Sequence, residues 1–543
     1  MKIFLILLLA LGAFLPVFAQ DSKQTEEPTI VGRITVRTDS EMRRVMAQAL
    51  DLMEYREGDD LLFLTTQTEL YRLEAKGFEV TIDQQKTAEL PHPGTDTFMG
   101  GYRTVEETAT FLDQMATQYP NLTEVFTYGQ SWLKVQNPSL GYDLRGIKLT
   151  NRNNRIGNKP IFMVQGGIHA RELVTPEEAT RLIEYLLSNY GVDADATWLL
   201  DEHQIIVLPM YNPDGRKIAE TGQLKRKNMN NTTGGCSIVN SGIDLNRNYS
   251  FSWGVVNMPT DPPCGETWPG LTASSEPETT GIQNLLIANF PDQRPAPRDQ
   301  PAPLDATGVF LDLHSTGNLV LYPWGQDNLP PPNLQLRTIA RKAARYNGYN
   351  PIQTIQLYPT SGTSQDFAYG ELGVAGFGME TGNGSGSCGG FMPPYSCMDG
   401  GTGGNFWNLN RPVLLYFAKI CRTPYMTGEG PVTDSLTISR PPAARVGIYS
   451  LRAQVTDAAS LEAGQNIAAV EAYVDVPPWR VGSVAVPLAA EDGNFNTPTE
   501  YAIGTVHVGP GKHIIFVRGR DAAGNWGPVK AVFKNDGAGQ GDG

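Results

Sequence analysis

The sequence predicts an α/β domain with a mixed, mostly buried sheet, carrying a small α+β unit before it and an all-β sandwich after it. Three observations lead there. From about Phe98 to Pro424, short apolar runs alternate with helical patterns, as in a sheet covered on both faces. Residues 29–83 repeat that alternation on a small scale. Beyond about Gly428, short alternating runs separated by Pro, Gly and Asn take over. With 543 residues the chain exceeds what one hydrophobic core organises, so several domains are expected.

The opening "MKIFLILLLALGAFLPVFAQ" has a lysine, an apolar run and the small-residue site Val17-Phe18-Ala19, which reads as an export signal at 1–19. No later segment is apolar enough to span a bilayer. The expected location is therefore extracellular or periplasmic, without membrane attachment after signal removal. Residues 20–97 hold the small unit, read as strand, helix, strand, helix, strand ("TIVGRITVR", "DSEMRRVMAQAL", "DLLFLTT", "QTELYRLEAKG", "FEVTID"). The polar, two-proline stretch 84–97 follows as a linker open to proteolysis.

In the α/β domain, 98–425, the strand candidates are "YDLRGIKLT", "PIFMVQGG", "HQIIVLPM", "GVFLDLHS", "NLVLYPW" and "VAGFGME". The helix candidates are "TVEETATFLDQMATQY", "TPEEATRLIEYLLSNY", "SEPETTGIQNLLIANF" and "NLQLRTIARKAARYNG". The sandwich occupies 426–543 and ends in the Gly-rich tail "GAGQGDG", expected to be disordered.

A net charge of −14 and the lack of a long basic cluster exclude a nucleic-acid partner. Five cysteines in an exported chain allow two disulfides and one thiol. Cys388 pairs naturally with Cys397 across one Gly-rich loop, and Cys236 with Cys264, leaving Cys421.

The charged stretch "GGIHARELVTPEE" follows an apolar strand and enters a helix. A lone H-x-x-E pattern such as His169 and Glu172 carries little weight. It gains weight from His314, which closes another apolar strand, because ligand crevices form at the carboxyl ends of strands in open α/β sheets. Two imidazoles and one carboxylate suit a catalytic zinc ion with one coordination position left open.

With these residues in place, the chain resembles the zinc metallocarboxypeptidases of the pancreatic carboxypeptidase A and B family, in the manner of secreted bacterial members similar to carboxypeptidase T. The resemblance runs in order through "HARE", "YNPDGR", "LKRKN", "DLNRNY", "SEPET", "LDLHS", "LYPTSGTSQDF" and "GFGMET". The His/His/Glu set is itself that family's known zinc site, so the resemblance carries it as much as the residues do. It implies one zinc ion on His169, Glu172 and His314. Glu380 matches the catalytic carboxylate, and Arg226 the arginine that stabilises the developing oxyanion. Asn246 and Arg247 match the pair that holds the substrate's free carboxylate, for which a guanidinium fork is suited. Arg171 matches an arginine lining the substrate approach, and Tyr358 the tyrosine that closes over substrate. A family disulfide brackets the Asn246-Arg247 loop as Cys236 and Cys264 do here.

The resemblance further implies a monomer acting on peptides with a free C-terminus, with the 20–97 segment in the place of a propeptide that covers the cleft until the linker is cut. Gln365 stands where the family's side-chain pocket has its selective residue. Being neither apolar nor acidic, and with Gly378 and Leu321 leaving room, it suggests a broad or apolar preference. "VRGRDAAGNWG" resembles the last strands of immunoglobulin-like or fibronectin-like modules. Two other functions compete: a zinc peptidase or amidase acting on bacterial cell-wall peptides, and a catalytically silent binding protein.

Overall fold

The computed structural model of the chain describes residues 27–88, 97–154, 156–294, 299–401, 403–441, 447–459 and 464–535. The export signal, the middle of the linker at 89–96 and the C-terminal tail lie outside the described residues.

The N-terminal unit has four strands, β1 (Ile30–Thr35), β2 (Asp51–Glu57), β3 (Asp60–Thr65) and β4 (Val80–Ile82), in the order β2-β3-β1-β4 with every pair antiparallel. This corrects the five-element expectation. The predicted first helix stops at Met46, Ala49 takes a left-handed φ of 51°, and the chain turns into β2, which forms a hairpin with β3. Both helices are capped: Thr38 forms a capping box with Glu41, and the Thr66 hydroxyl accepts from the Glu69 amide. The linker begins with a short helix, Gln84–Ala88.

The central domain is built on eight strands: β5 (Thr123–Gln130), β6 (Asp143–Leu149), β7 (Ile161–Gln165), β8 (Gln204–Leu208), β9 (Val309–His314), β10 (Leu319–Tyr322), β11 (Asn350–Gln353) and β12 (Ala375–Glu380). Their order is β11-β10-β12-β9-β7-β8-β6-β5. The four middle strands β12, β9, β7 and β8 run parallel, while β10 on one side and β6 and β5 on the other introduce antiparallel pairs. Strands β9 and β12 are buried along their whole length, which is why they read as continuous apolar runs rather than alternating ones. Helices 105–118, 174–188, 277–289, 335–347 and 406–420 cover the sheet. Their apolar residues, among them Phe111, Leu182, Ile339 and Phe417, join Val164, Leu311 and Phe377 of the strands in one core. The sheet thereby brings the ends of β7, β9 and β12 side by side, each followed or closed by a residue of the candidate site.

Seven strands form the C-terminal region: β13 (Val432–Ser439), β14 (Ile448–Thr456), β15 (Ile467–Val474), β16 (Val486–Ala490), β17 (Thr499–His507), β18 (Lys512–Asp521) and β19 (Lys530–Asn535). Strand β16 pairs with both β15 and β17 and so links the β13-β14-β17 and β15-β18-β19 sheets. Tyr473, Phe516 and Val529 of this region enter the central hydrophobic core. Lys342 reaches across to Asp457 at 2.9 Å, which ties the two domains polarly as well.

Candidate metal centre and active site

His169 and Glu172 lie in the turn between β7 and helix 174–188, and His314 is the last residue of β9. All three are buried, with one ligand atom from each lying within 4.8 Å of the others. His169 Nδ1 is 2.7 Å from Glu172 Oε1 and 3.3 Å from His314 Nδ1, and His314 Nδ1 is 3.4 Å from Glu172 Oε2. Two imidazole nitrogens and a carboxylate converging on one point are a donor set that fits a divalent cation.

The outward nitrogens are fixed by acids. His169 Nε2 lies 3.2 Å from Asp244 Oδ1, and His314 Nε2 lies 3.1 Å from Asp312 Oδ2. Such carboxylate contacts hold the proton on Nε2 and leave Nδ1 as the ligand atom. The Ser315 amide donates to Glu172 Oε2 at 3.2 Å. Burial by itself would push Glu172 up, but the two imidazoles outweigh it and hold the carboxylate well below its usual range. For Asp244, likewise, burial is outweighed by Arg226, Arg247 and His169.

Glu380 closes β12 directly opposite His314 in the parallel register. Arg226 places its Nε and one terminal nitrogen 3.1 and 3.0 Å from Asp244 Oδ2, while its carbonyl accepts from the Ala170 amide. The neighbouring lysines turn elsewhere: Lys225 Nζ donates to the Ile238 carbonyl, and Lys227 Nζ to those of Pro263 and Gly265. Among the described residues, Asp244 is paired with Arg226 and with neither of these lysines.

Asn246 Oδ1 accepts from the Ser364 amide at 2.9 Å, and its Nδ2 lies 3.2 Å from His314 Nε2, a contact between two N–H groups and not a hydrogen bond. Arg247 is buried. It donates to the Asn246 carbonyl at 2.7 Å and to the Tyr358 hydroxyl at 3.4 Å, and its Nε is buried with no partner. Among the described residues no carboxylate pairs with it. The loop carrying these residues is spanned by the Cys236–Cys264 disulfide; Cys388–Cys397 is the second bridge, and Cys421 is a buried thiol.

His169, Asn246, Arg247, His314, Tyr358, Gln365 and Glu380 share one cavity of about 20 Å³, enough for a water molecule and far too little for a peptide. The N-terminal unit packs against residues that line this cavity. Its core residues Val36, Leu50 and Leu52 form one cluster with Leu319, Leu321, Leu357 and Tyr358. Arg171 is engaged from the same side, its two terminal nitrogens 2.7 and 2.6 Å from the two Asp51 oxygens, with its guanidinium 4.0 Å over the Phe391 ring.

Of the remaining residues singled out in the sequence, Leu321 also lines this cavity, Glu172 belongs to the metal group, Arg226 is joined to His169 through Asp244, and Arg171 is turned to Asp51 of the N-terminal unit. Three acids were not singled out. Asp244 stood in the quoted "DLNRNY", and Asp312 two residues before His314 on the same strand face; Asp51 has no sequence signal.

A family model described as zinc carboxypeptidase, peptidase M14, matches residues 108–400. Carboxypeptidase B of Astacus astacus is 31% identical over 284 residues, which cover 50% of this chain and 83% of that protein. Carboxypeptidase B of Helicoverpa zea is 29% identical over 286 residues, covering 50% of this chain and 60% of that protein. The crystal structure of the carboxypeptidase A from Helicoverpa armigera superposes with a TM-score of 0.57 at 21% identity, covering 72% of this chain and 98% of that one, a likeness of fold. With more than half of its length matched by the family model, the chain belongs to the zinc carboxypeptidase family.

Proposed function

We propose that this chain is a zinc-dependent metallocarboxypeptidase that removes residues from the free C-terminus of peptides and proteins. The observation that carries the reading is Arg247: a buried guanidinium with an unpartnered Nε and, among the described residues, no carboxylate in direct ion-pair contact, lining the same cavity as His169 and His314 of the metal group. A buried guanidinium without a direct ion-pair contact is costly, and a substrate carboxylate would supply one in bidentate geometry. Asn246, next to it, offers its amide to the same group.

Zinc held by His169, Glu172 and His314 would supply Lewis-acid polarisation and lower the pKa of a water to about 7. Glu380 acts as general base and then acid: a side-chain oxygen takes the proton from the attacking water and returns it to the departing amine nitrogen. Arg226, held by Asp244, donates to the carbonyl oxygen as it gains charge. Tyr358, whose hydroxyl meets Arg247, closes the cavity from above.

The N-terminal unit is read as a propeptide. Its cluster against Tyr358 and the Asp51 grip on Arg171 support a covered precursor that opens after cleavage in the 84–97 segment. Two disulfides are consistent with an exported protein, and no described helix is long and apolar enough to cross a membrane. The C-terminal sheets are read as an accessory module of the immunoglobulin or fibronectin kind. The test is amino-acid release by linker-cleaved protein. We expect it to be abolished by chelation and lowered by about 10²- to 10⁴-fold in Glu380→Gln at unchanged zinc content. Full release by Glu380→Gln would remove this reading of the base.

A further inference from the structure

Glu178 sits in helix 174–188, which follows the turn that carries His169 and Glu172, and it is fully buried. A carboxyl group in such a place needs partners. It has two, and both are neutral. Its Oε1 accepts from Asn410 Nδ2 at 2.7 Å, and its Oε2 lies 2.9 Å from the Thr381 hydroxyl. Arg181, one turn further along the helix, is taken by Asp399 and the Tyr395 hydroxyl, and among the described residues no cation pairs with Glu178.

Thr381 follows Glu380, the last residue of β12. Its amide donates to the His314 carbonyl at 2.7 Å, which anchors the backbone just past Glu380 to the end of β9. Gly382 continues the hold: its carbonyl accepts from the amides of Gly317 and Asn318 and from the Thr316 hydroxyl, and its amide donates to the Tyr349 hydroxyl at 3.2 Å. On the other side stands Asn410 of helix 406–420, whose Oδ1 accepts from Asn347 Nδ2 at 2.9 Å. Its Nδ2 lies 3.2 Å from the hydroxyl oxygens of both Tyr349 and Thr381. The Thr381 hydroxyl is therefore the point where this network meets the strand end. The sheet order puts β9 between β12 and β7, so Glu178 makes a direct bond between the helix behind the histidine turn and the strand that presents Glu380. Glu380 lines the cavity and Glu178 does not, so Glu178 can act only through what it holds.

We propose that Glu178, acting through the Thr381 hydroxyl, is a positioning residue for Glu380: it fixes where the base stands relative to the turn of His169 and Glu172. The inference rests on the carboxypeptidase reading with Glu380 as base, and names the group that holds that base in place. A general base must stand within hydrogen-bond reach of the proton it takes, and a misplacement of about 1 Å costs on the order of a hundredfold in rate. Asn246 and Arg247, which meet the substrate carboxylate in that reading, stand on a separate loop. Loss of the Glu178 contact therefore lowers kcat and leaves KM near its wild-type value.

The test measures kcat, KM and bound zinc for linker-cleaved protein, with rates expressed per zinc-loaded molecule. Glu178→Met removes both hydrogen bonds, and Thr381→Val removes the hydroxyl alone. Each should lower kcat by roughly ten- to a hundredfold at unchanged KM and zinc content. The double variant should fall no further than the more impaired single variant, because both break one contact. Glu178→Gln keeps a donor for the Thr381 oxygen and an acceptor for Asn410, and should restore kcat; Thr381→Ser should do the same. Unchanged kcat in Glu178→Met or Thr381→Val overturns the proposal, as do additive losses in the double variant. A fall in zinc content that accounts for the lost activity assigns Glu178 to the support of the metal turn and overturns it too. Should Glu178→Met fail to fold, Thr381→Val and Thr381→Ser decide: a loss in the first alone supports the proposal, and equal kcat in both overturns it. No release by the zinc-loaded wild type removes the carboxypeptidase reading and this inference with it, a failure seen before any variant is compared.

Discussion

Asp51 of the N-terminal unit grips Arg171 through two parallel hydrogen bonds of 2.6 and 2.7 Å, and Arg171 is fully buried beneath it. Glu266 lies 3.8 Å from the same guanidinium, too far to replace the bidentate contact. Breaking one partner of a buried pair costs about 3–5 kcal/mol, which here falls on the docking of the unit over the cavity. The intact Asp51→Asn chain should therefore release amino acids at least tenfold faster than the intact wild type. Equal rates, with both cleaved proteins active, would show that the pair does not hold the cover in place.

Asp244 serves two site residues at once, the His169 imidazole through Oδ1 and Arg226 through Oδ2. Asp244→Asn keeps the shape but weakens both contacts. Zinc affinity should fall by roughly 10- to 100-fold, measured by competition with a chelating dye. An unchanged affinity would remove Asp244 from the support of His169.

Behind Glu380, a buried network links Glu178 to the strand end: Asn410 and Thr381 donate to its two oxygens at 2.7 and 2.9 Å. Burial pushes Glu178 up from 4.5 to about 7, with the two hydrogen bonds opposing. A folded-state pKa above the unfolded one means that the folded chain binds the extra proton between those values. The stability present below pH 4.5 is thus lost as pH rises through about 7. Glu178→Gln removes this dependence. Between pH 5 and pH 8 the wild type should lose on the order of 3 kcal/mol relative to the variant in urea unfolding. Parallel pH profiles would contradict a protonated Glu178.

The central strands and the capped helices were legible because local signals decide them. The helix candidate "TVEETATFLDQMATQY" forms helix 105–118, started by a capping box of Thr104 and Glu107, and the strand candidate "GVFLDLHS" forms β9. The zinc group was legible because two of its members sit within one turn and the third closes a strand. Strand β2 was not: "DLMEYRE" lacks clean alternation, and the helical pattern before it runs on past the actual end at Met46. Asp312 escaped notice for a different reason. Its neighbour Gly378 is 66 residues away along the chain, and only the β9–β12 register places them side by side. Asp51 belongs to the same class, since its meaning lies in Arg171, 120 residues distant.

The central claim is that Arg247 holds a free C-terminal carboxylate. The measurement that tests it most directly compares release from pairs of peptides identical except for a free or amidated C-terminus, using linker-cleaved wild type and Arg247→Ala. The account predicts release from free ends only in the wild type. The variant should lose about 2–5 kcal/mol of transition-state stabilisation on free ends and none on amidated ones. Equal cleavage of free and amidated peptides by the wild type would contradict it and turn attention to internal bonds such as those of cell-wall peptides.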